Sequence, residues 1–507
     1  MVELYSLIAE LEENEIRYIK NSLKKNETCY DDLYLLQKLF DSVLTSEINS
    51  STIDTQLSNK LYHNDNQVAF SKLKSRLFQF ILDALSSDYL ICKENSFDTT
   101  DRQIIKIRKR MLQFRILYRK KNRAGIKVLN HLLNEITKGA REFEQYDILL
   151  EALHFKKYFL MLRKGFDEIK KNREQIIYYQ YVYQGLLKAN DYYFDLITNQ
   201  SMVQRLDYKQ TNTFIKEALS ELDVYVKKTD SDSIHYIYKI IFLEDMLQKK
   251  NYDQTIDICI DIIKLLENSP ALYTKERMGY IHDNISLCLV CLNDFQKAIL
   301  NSKKAQSYYS SRSISYVLSM QQEFYANFYW GKYEEALKII ENMLLFEVIN
   351  KGEFRHDKFK FLRACVLFKL KRIKEAISIC NQVLEITKDK GRWDLGIRYL
   401  KLMCLLETKD PEAVFNALEA LRKTLNRVKA NGKIRETNRD DLLYKAFSEF
   451  IKIESGDSSS EKLKYILSGL SEKSGEYSWT YYSHEVIPIH SWLNSLAGQT
   501  KYIRETH

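Results

Sequence analysis

NYDQT at residues 251–255, DFQKA at 294–298, KYEEA at 332–336 and RIKEA at 372–376 are four forms of one phrase. Each follows an apolar segment of helical length and opens another, so each marks the elbow of a helical hairpin. The intervals between them are 43, 38 and 40 residues, a period at which helical hairpins stack into a solenoid. In every copy a ring or branched side chain (Tyr252, Phe295, Tyr333, Ile373) stands three residues before a small one (Thr255, Ala298, Ala336, Ala376). The larger residue can wedge between neighbouring helices, and the smaller one lets two backbones approach closely.

The phrase resembles the elbow of the tetratricopeptide repeat (TPR), and most of the chain can be read in that register. Projecting an interval of 43 backwards from Thr255 lands near residues 212, 169 and 126, close to the second helix of each weaker pair. The resemblance implies an all-α fold: a right-handed α-solenoid of antiparallel helical hairpins, with the first helix of each pair on the concave side. The chain departs from the family at two places. A proline near the end of the second helix occurs only as Pro270, and the small residue of the first helix is Ser286 or Ala364 in two copies but Leu243 or Phe324 in the others. The helical-repeat subfamily therefore stays open.

Composition agrees with a helical array. The 507 residues exceed what one compact core usually encloses, and 14 Gly with 3 Pro leave few helix breakers. An apolar content of 45% and a charged content of 29% suit a folded chain. No run of 18 apolar residues occurs, so no membrane span is expected. The start, MVELYSLIAELEENEIRYIK, has acids where a signal peptide needs basic residues before an apolar block, which points to a cytoplasmic address. Cys259, Cys288, Cys365, Cys380 and Cys404 lie within apolar helical segments and read as small buried residues of a reducing compartment.

In chain order, helices are expected near 2–24, 31–45 and 68–88, with room for a short one between the last two. Pairs follow at 102–120 with 123–138, 148–163 with 166–180, and 178–198 with 210–227, then the four clear hairpins. Two more come at 393–407 with 411–428 and at 440–454 with 460–472. This divides the chain into a small N-terminal helical bundle or cap (1–98), a solenoid of about eight or nine hairpins (99–474), and a C-terminal capping segment (475–507). In the last, Trp479, Pro488 and Trp492 break the pattern, as terminal repeats do when they cover an open face.

Signatures of catalysis are absent from the sequence. HEVIPIH at 484–490 spaces its histidines six apart, with Pro488 between them, which does not fit the zinc-protease helix. Cys288 and Cys291 form a lone C-x-x-C inside an apolar helix, without a second pair. No glycine-rich phosphate loop or nucleophile elbow occurs. No cofactor, metal or enzyme activity is expected.

Two binding surfaces can be read. Mapping the family's groove positions onto the clear repeats selects Glu244 and Gln248, Asp283 and Asn284, Gln321 with Tyr325 and Tyr329, and Lys358 with Lys369, a mixture suited to a protein or peptide ligand. The carboxylate clamp by which some relatives hold chaperone tails is not expected. Only Asn284 coincides with it, while Ile240, Glu244, Leu318 and Gln322 stand at the other clamp positions. The second surface is basic. Eleven Lys or Arg and no acid lie between Arg102 and Lys127, against a net charge of +9 for the chain. On a helical wheel Arg102, Lys106, Lys109, Arg110, Lys120 and Lys121 share one side, opposite Ile107, Met111, Phe114 and Tyr118. An acidic face of the same protein or an anionic partner such as nucleic acid could relieve this repulsion. The leading expectation is a non-enzymatic scaffold or adaptor. The alternative is a regulator that binds nucleic acid through its N-terminal helices and residues 102–127.

Overall fold

A computed structural model describes residues 3–505 except 10, 25–32, 45–52, 63–66, 88–98, 121–124, 162–165, 202–207, 347–352, 384–392, 431–437, 456–459 and 473–476. Every regular element among the described residues is a helix. Residues 88–98, which lead up to the boundary expected between 98 and 99, and Lys121 fall outside them. By contacts the chain divides into two units, Met1–Phe159 and Leu160–His507.

The first unit opens with α1 (Glu3–Ala9), α2 (Glu13–Lys24), α3 (Leu33–Leu44), α4 (Ile53–Tyr62) and α5 (Gln67–Leu85). The helix expected over 2–24 is interrupted at Glu12, whose backbone N–H donates to the Glu15 carboxylate and so starts a second helix. Phe70, Leu73, Leu77, Phe80 and Ile81 of α5 form the apolar face legible in the sequence, packed on Leu36, Leu39 and Phe40 of α3. Lys74 lies among them because Asp54 accepts its proton donor at 2.5 Å and Phe70 presents a ring face to its ammonium. The unit continues with α6 (Thr99–Arg119), α7 (Ile126–Glu142) and α8 (Tyr146–Met161), where α6 packs against α7.

The second unit begins with α9 (Phe166–Ser201), one helix of 36 residues where the sequence suggested two. Nothing between 166 and 201 stops it. Gly185, its one glycine, faces the Tyr225 ring so closely that a Cβ there would collide. The residues read as one helix of each of two hairpins are therefore a single element packed on both α10 (Tyr208–Lys228) and α11 (Asp232–Gln248).

From there the hairpins are regular: α11 with α12 (Tyr252–Asn268), α13 (Lys275–Cys291) with α14 (Phe295–Tyr308), and α15 (Ile314–Tyr329) with α16 (Tyr333–Leu344). They continue as α17 (Glu353–Lys369) with α18 (Ile373–Gln382), α19 (Trp393–Thr408) with α20 (Pro411–Ala430), and α21 (Asn438–Glu454) with α22 (Ser460–Leu470). A last helix, α23 (Ile489–Glu505), packs on α21 and α22. Each helix touches its chain neighbours, and the first helices α13 and α15, and α17 and α19, also touch each other. This unit is an all-α solenoid in which first helices lie side by side at α13 with α15 and at α17 with α19.

The repeated phrase works through its backbone. At each elbow the residue before the N-cap is left-handed: Lys250, Asn293, Gly331 and Lys371, with φ between 57° and 83°. Its N–H donates to the carbonyl three residues back, and the next N–H donates five residues back, as from Asn251 to Met246 and from Arg372 to Leu367. This pair of bonds closes a helix C-terminus and turns the chain at once into the next N-cap. Asn251 and Asp294 complete the cap with their side chains. Thr255, Ala298, Ala336 and Ala376 are fully buried one turn later, where the small side chain admits the preceding helix. In one hairpin the small residue of the first helix is used directly: the Ser286 hydroxyl donates to the Ala298 carbonyl.

Candidate functional site

Residues 477–488 form no helix, yet they reach far back over the hairpins of the second unit. The Tyr481 hydroxyl donates to Asn293, at the α13–α14 elbow. Tyr482 meets Tyr325 edge-on at 4.6 Å, and Trp479 and Tyr481 meet Tyr329 edge-on at 5.7 and 4.7 Å. Next along the strap, His484 hydrogen-bonds Asp440 at 2.9 Å, and Asp440 also accepts from the Tyr399 hydroxyl at 3.0 Å. Val486, Ile487 and Ile489 close over Phe361 and Cys365 of α17 and over Leu400 and Met403 of α19, leaving a cleft of about 10 Å³.

The anchor is an ion pair. Arg439 clasps Glu485 with two bonds of 2.7 and 3.0 Å, and their side chains are 15% and 2% exposed. Its remaining donors reach the Leu470 and Tyr477 carbonyls. Glu485 in turn accepts from the Ile489 backbone N–H, which fixes the start of α23, while the Trp479 indole donates to the Glu485 carbonyl. A bidentate guanidinium–carboxylate pair with its other polar atoms satisfied is the arrangement in which a buried charge is tolerated.

Gly396 makes the approach possible. It sits inside α19, and a Cβ there would collide with the His484 carbonyl. Elsewhere the fit is less complete. Tyr482 holds φ at +61°, a left-handed conformation unfavourable for a bulky side chain. The hydroxyls of Tyr325 and Tyr482 are buried without a protein hydrogen-bond partner. Burial pushes the phenols of Tyr325, Tyr329 and Tyr482 well above the usual tyrosine value, so all three stay neutral.

No protein-family profile and no curated protein matches the sequence. Among solved structures, the crystal structure of a Signal Transduction ATPase with Numerous Domains (STAND) protein with a tetratricopeptide-repeat sensor, from Pyrococcus horikoshii, is similar at 11% identity and a TM-score of 0.34. The match covers 83% of this chain and 55% of that one, so the chain spans little more than half the length of that protein. The TPR2AB domain of yeast Sti1, in a structure titled as a complex with pHSP90, is similar at 15% identity and a TM-score of 0.21, covering 53% of this chain and 99% of that one. The TPR domain of P58(IPK) is similar at 9% identity and a TM-score of 0.21, covering 77% and 99%. These superpositions are too loose to bear on function. The likeness that counts is within the chain: antiparallel hairpins with one elbow repeated at 250, 293, 331 and 371.

Its second unit is an array of antiparallel helical hairpins.

In this array the expected groove residues all lie on first helices, α11, α13, α15 and α17. They do not share one fate. Tyr325 is 0% exposed and lies with Tyr329 against the strap. Gln321 and Asn284 are also buried, and the Asn284 amide donates to the Tyr280 carbonyl of its own helix. Asp283 accepts from Ser319 at 2.6 Å and from Tyr309 at 3.1 Å, tying α13 to its neighbours. Burial lifts its carboxyl to about 7 despite those bonds. Glu244 and Gln248 are half-buried and 3.5 Å apart. Lys358 lies over the Trp393 ring at 4.4 Å, and burial lowers its ammonium to about 8. Lys369 is half-buried and lowered by burial as well.

The sequence reading missed Gly396, Arg439, Asp440 and Glu485. One signal was present: an isolated glycine within an apolar helix marks close backbone approach, and Gly396 stands in WDLGIRYLKLMCLL. HEVIPIH is the strap's anchor. His484 is engaged by Asp440, and His490 lies 3.2 Å from Arg439. Cys288 and Cys291 are packed, and burial raises their thiols to about 12 and 11.

The basic tract forms α6 in the first unit. Arg115 pairs bidentately with Glu151 at 2.6 Å, and Arg108 bonds Asp147 and Gln145, so an acidic face on α8 takes up part of the charge. A cleft of about 270 Å³ between α6 and α8 is lined by these pairs and by Met111, Leu112 and Ile148. Of the residues expected to hold an anion, Lys109 donates to the Ser86 carbonyl and Arg110 to Gln113. Arg102 is half-buried, and Lys106 and Lys120 are exposed.

Proposed function

We propose that the chain is a non-enzymatic adaptor that grips an extended segment of protein along the side-by-side first helices of its second unit. One observation supports this reading: the face already receives an irregular, non-helical segment, residues 477–488, through ring contacts and a buried Arg–carboxylate pair. Polar and aromatic residues on first helices can recognise backbone and side chains of such a segment. Glu244, Gln248, Lys358 and Lys369 carry the half-exposed part of the same face. An unbiased peptide array probed with the full chain tests the reading. Bound sequences should lose signal with the Tyr325→Ala, Tyr329→Ala double variant while circular dichroism stays unchanged, and an array with no bound sequence on either chain would refute it. Nucleic acid on α6 is the weaker reading, because Arg108 and Arg115 already have carboxylate partners. Titration with random duplex DNA at low ionic strength should give no saturable binding.

A further inference from the structure

We infer that the first-helix face from α15 to α21 recognises a peptide of defined pattern, and that Trp479, Tyr481, Tyr482 and Glu485 occupy it as that ligand's stand-in. The pattern is aromatic at the first, third and fourth positions, with an acid three residues after the last ring. This deepens the adaptor reading and rests on it.

The strap crosses the hairpins instead of extending them. In space its partners fall on successive first helices: Tyr325 and Tyr329 on α15, Cys365 on α17, Gly396 and Tyr399 on α19, Arg439 and Asp440 on α21. A segment that served only to cover the last open surface would stop at α21 and α22, which α23 already covers, whereas the strap runs on to α15 and the α13–α14 elbow. The chemistry at each contact belongs to recognition. Rings meet rings edge-on, a guanidinium takes a carboxylate through two bonds, and an interior glycine clears the path for the backbone.

The same contacts show that the fit can be bettered. Tyr482 is held at φ +61°, and two of the buried phenol hydroxyls find no acceptor in the protein. A peptide that supplies an acceptor to the Tyr325 hydroxyl and carries its ring on an ordinary backbone would bind the face better, contact for contact. The strap's advantage is its tether, which gives it an effective concentration of about a millimolar. A free ligand therefore has to beat the strap.

The test uses the full chain and a fluorescent peptide of residues 477–490. With the unaltered chain the peptide should bind weakly. With Trp479→Ala, Tyr482→Ala, which loosens the strap and leaves the receiving helices intact, it should bind at least about tenfold more tightly, the sign of a removed internal competitor. Adding Gly396→Ala should abolish that gain, and a scrambled peptide should bind neither chain. If the double variant loses its cooperative melt, hydrogen exchange on the unaltered chain decides. Excess peptide should deprotect the strap amides while α15, α17 and α19 stay protected. No binding by a folded double variant, or no deprotection in the unaltered chain, overturns the inference. The adaptor reading outlives that result if the array yields peptides of another pattern that depend on Tyr325, and falls with it if the array yields none.

Discussion

The Arg439–Glu485 pair carries the highest stakes of any contact in the strap. Removing one partner leaves the other charge in a site with almost no water, which costs about 3–5 kcal/mol. Glu485→Gln should therefore lower the urea midpoint sharply and raise exchange at Ile489, whose N–H it accepts; an unchanged midpoint would show the pair to be ornamental. Tyr325 runs the other way. Its hydroxyl is buried without a partner, so Tyr325→Phe should leave stability unchanged or raise it by about 1 kcal/mol, measured by the same denaturation. Asp283 adds a pH dependence. Its carboxyl titrates at 3.8 when unfolded and at about 7 in the folded chain, chiefly through burial. Between those values the folded state holds a proton that the unfolded state has lost, so stability falls as pH rises through the window. The melting temperature of Asp283→Asn relative to the unaltered chain should climb across that interval and level off above it. A constant difference would remove the assigned cause.

At the scale of elements, the elbows repeat a backbone conformation more faithfully than a sequence. Lys250, Asn293, Gly331 and Lys371 occupy the same left-handed position, although only one is glycine. A side chain there is unfavourable by about 1–2 kcal/mol. Because Lys250 is exposed, Lys250→Gly should raise the melting temperature by the equivalent of about 1 kcal/mol, unless the closing bonds to Met246 and Leu247 fail to form. The long helix α9 shows the limit of reading elements by period. Its 36 residues contain enough helix formers to run on, and the boundary expected near 178–180 falls where no chain-breaking residue stands.

For the molecule, the contacts of the second unit are of two kinds: short steps between neighbouring helices, and a long return of residues 477–488 and of Trp492 on α23, which meets Phe368 and Glu407. A solenoid's stability is close to a sum over adjacent repeats, so removing the return should have a bounded effect. A chain ending before Tyr477, which also lacks α23, should keep the helices of its hairpins, and its amide exchange should rise in α15 to α21 while α11 and α12 keep their protection. A uniform rise, or a collapse of helicity, would mean that the strap is required for the whole array to fold.

The fold class and most of the hairpins were legible because a local pattern produced them. A helix-length apolar run, a left-handed stop and an N-cap suffice to turn the chain, and all three lie within a few residues of each other. The small buried residues at 255, 298, 336 and 376 follow from the same phrase. The expected groove residues lie on first helices, but what covers them does not follow from register. That Tyr481 meets Asn293, that Tyr325 meets Tyr482, that Arg439 meets Glu485 and that Gly396 clears a path for His484 depends on segments up to 188 residues apart in sequence. Local rules set the hairpins; the return of an irregular segment across them was decided by complementarity that exists only once the first helices stand side by side.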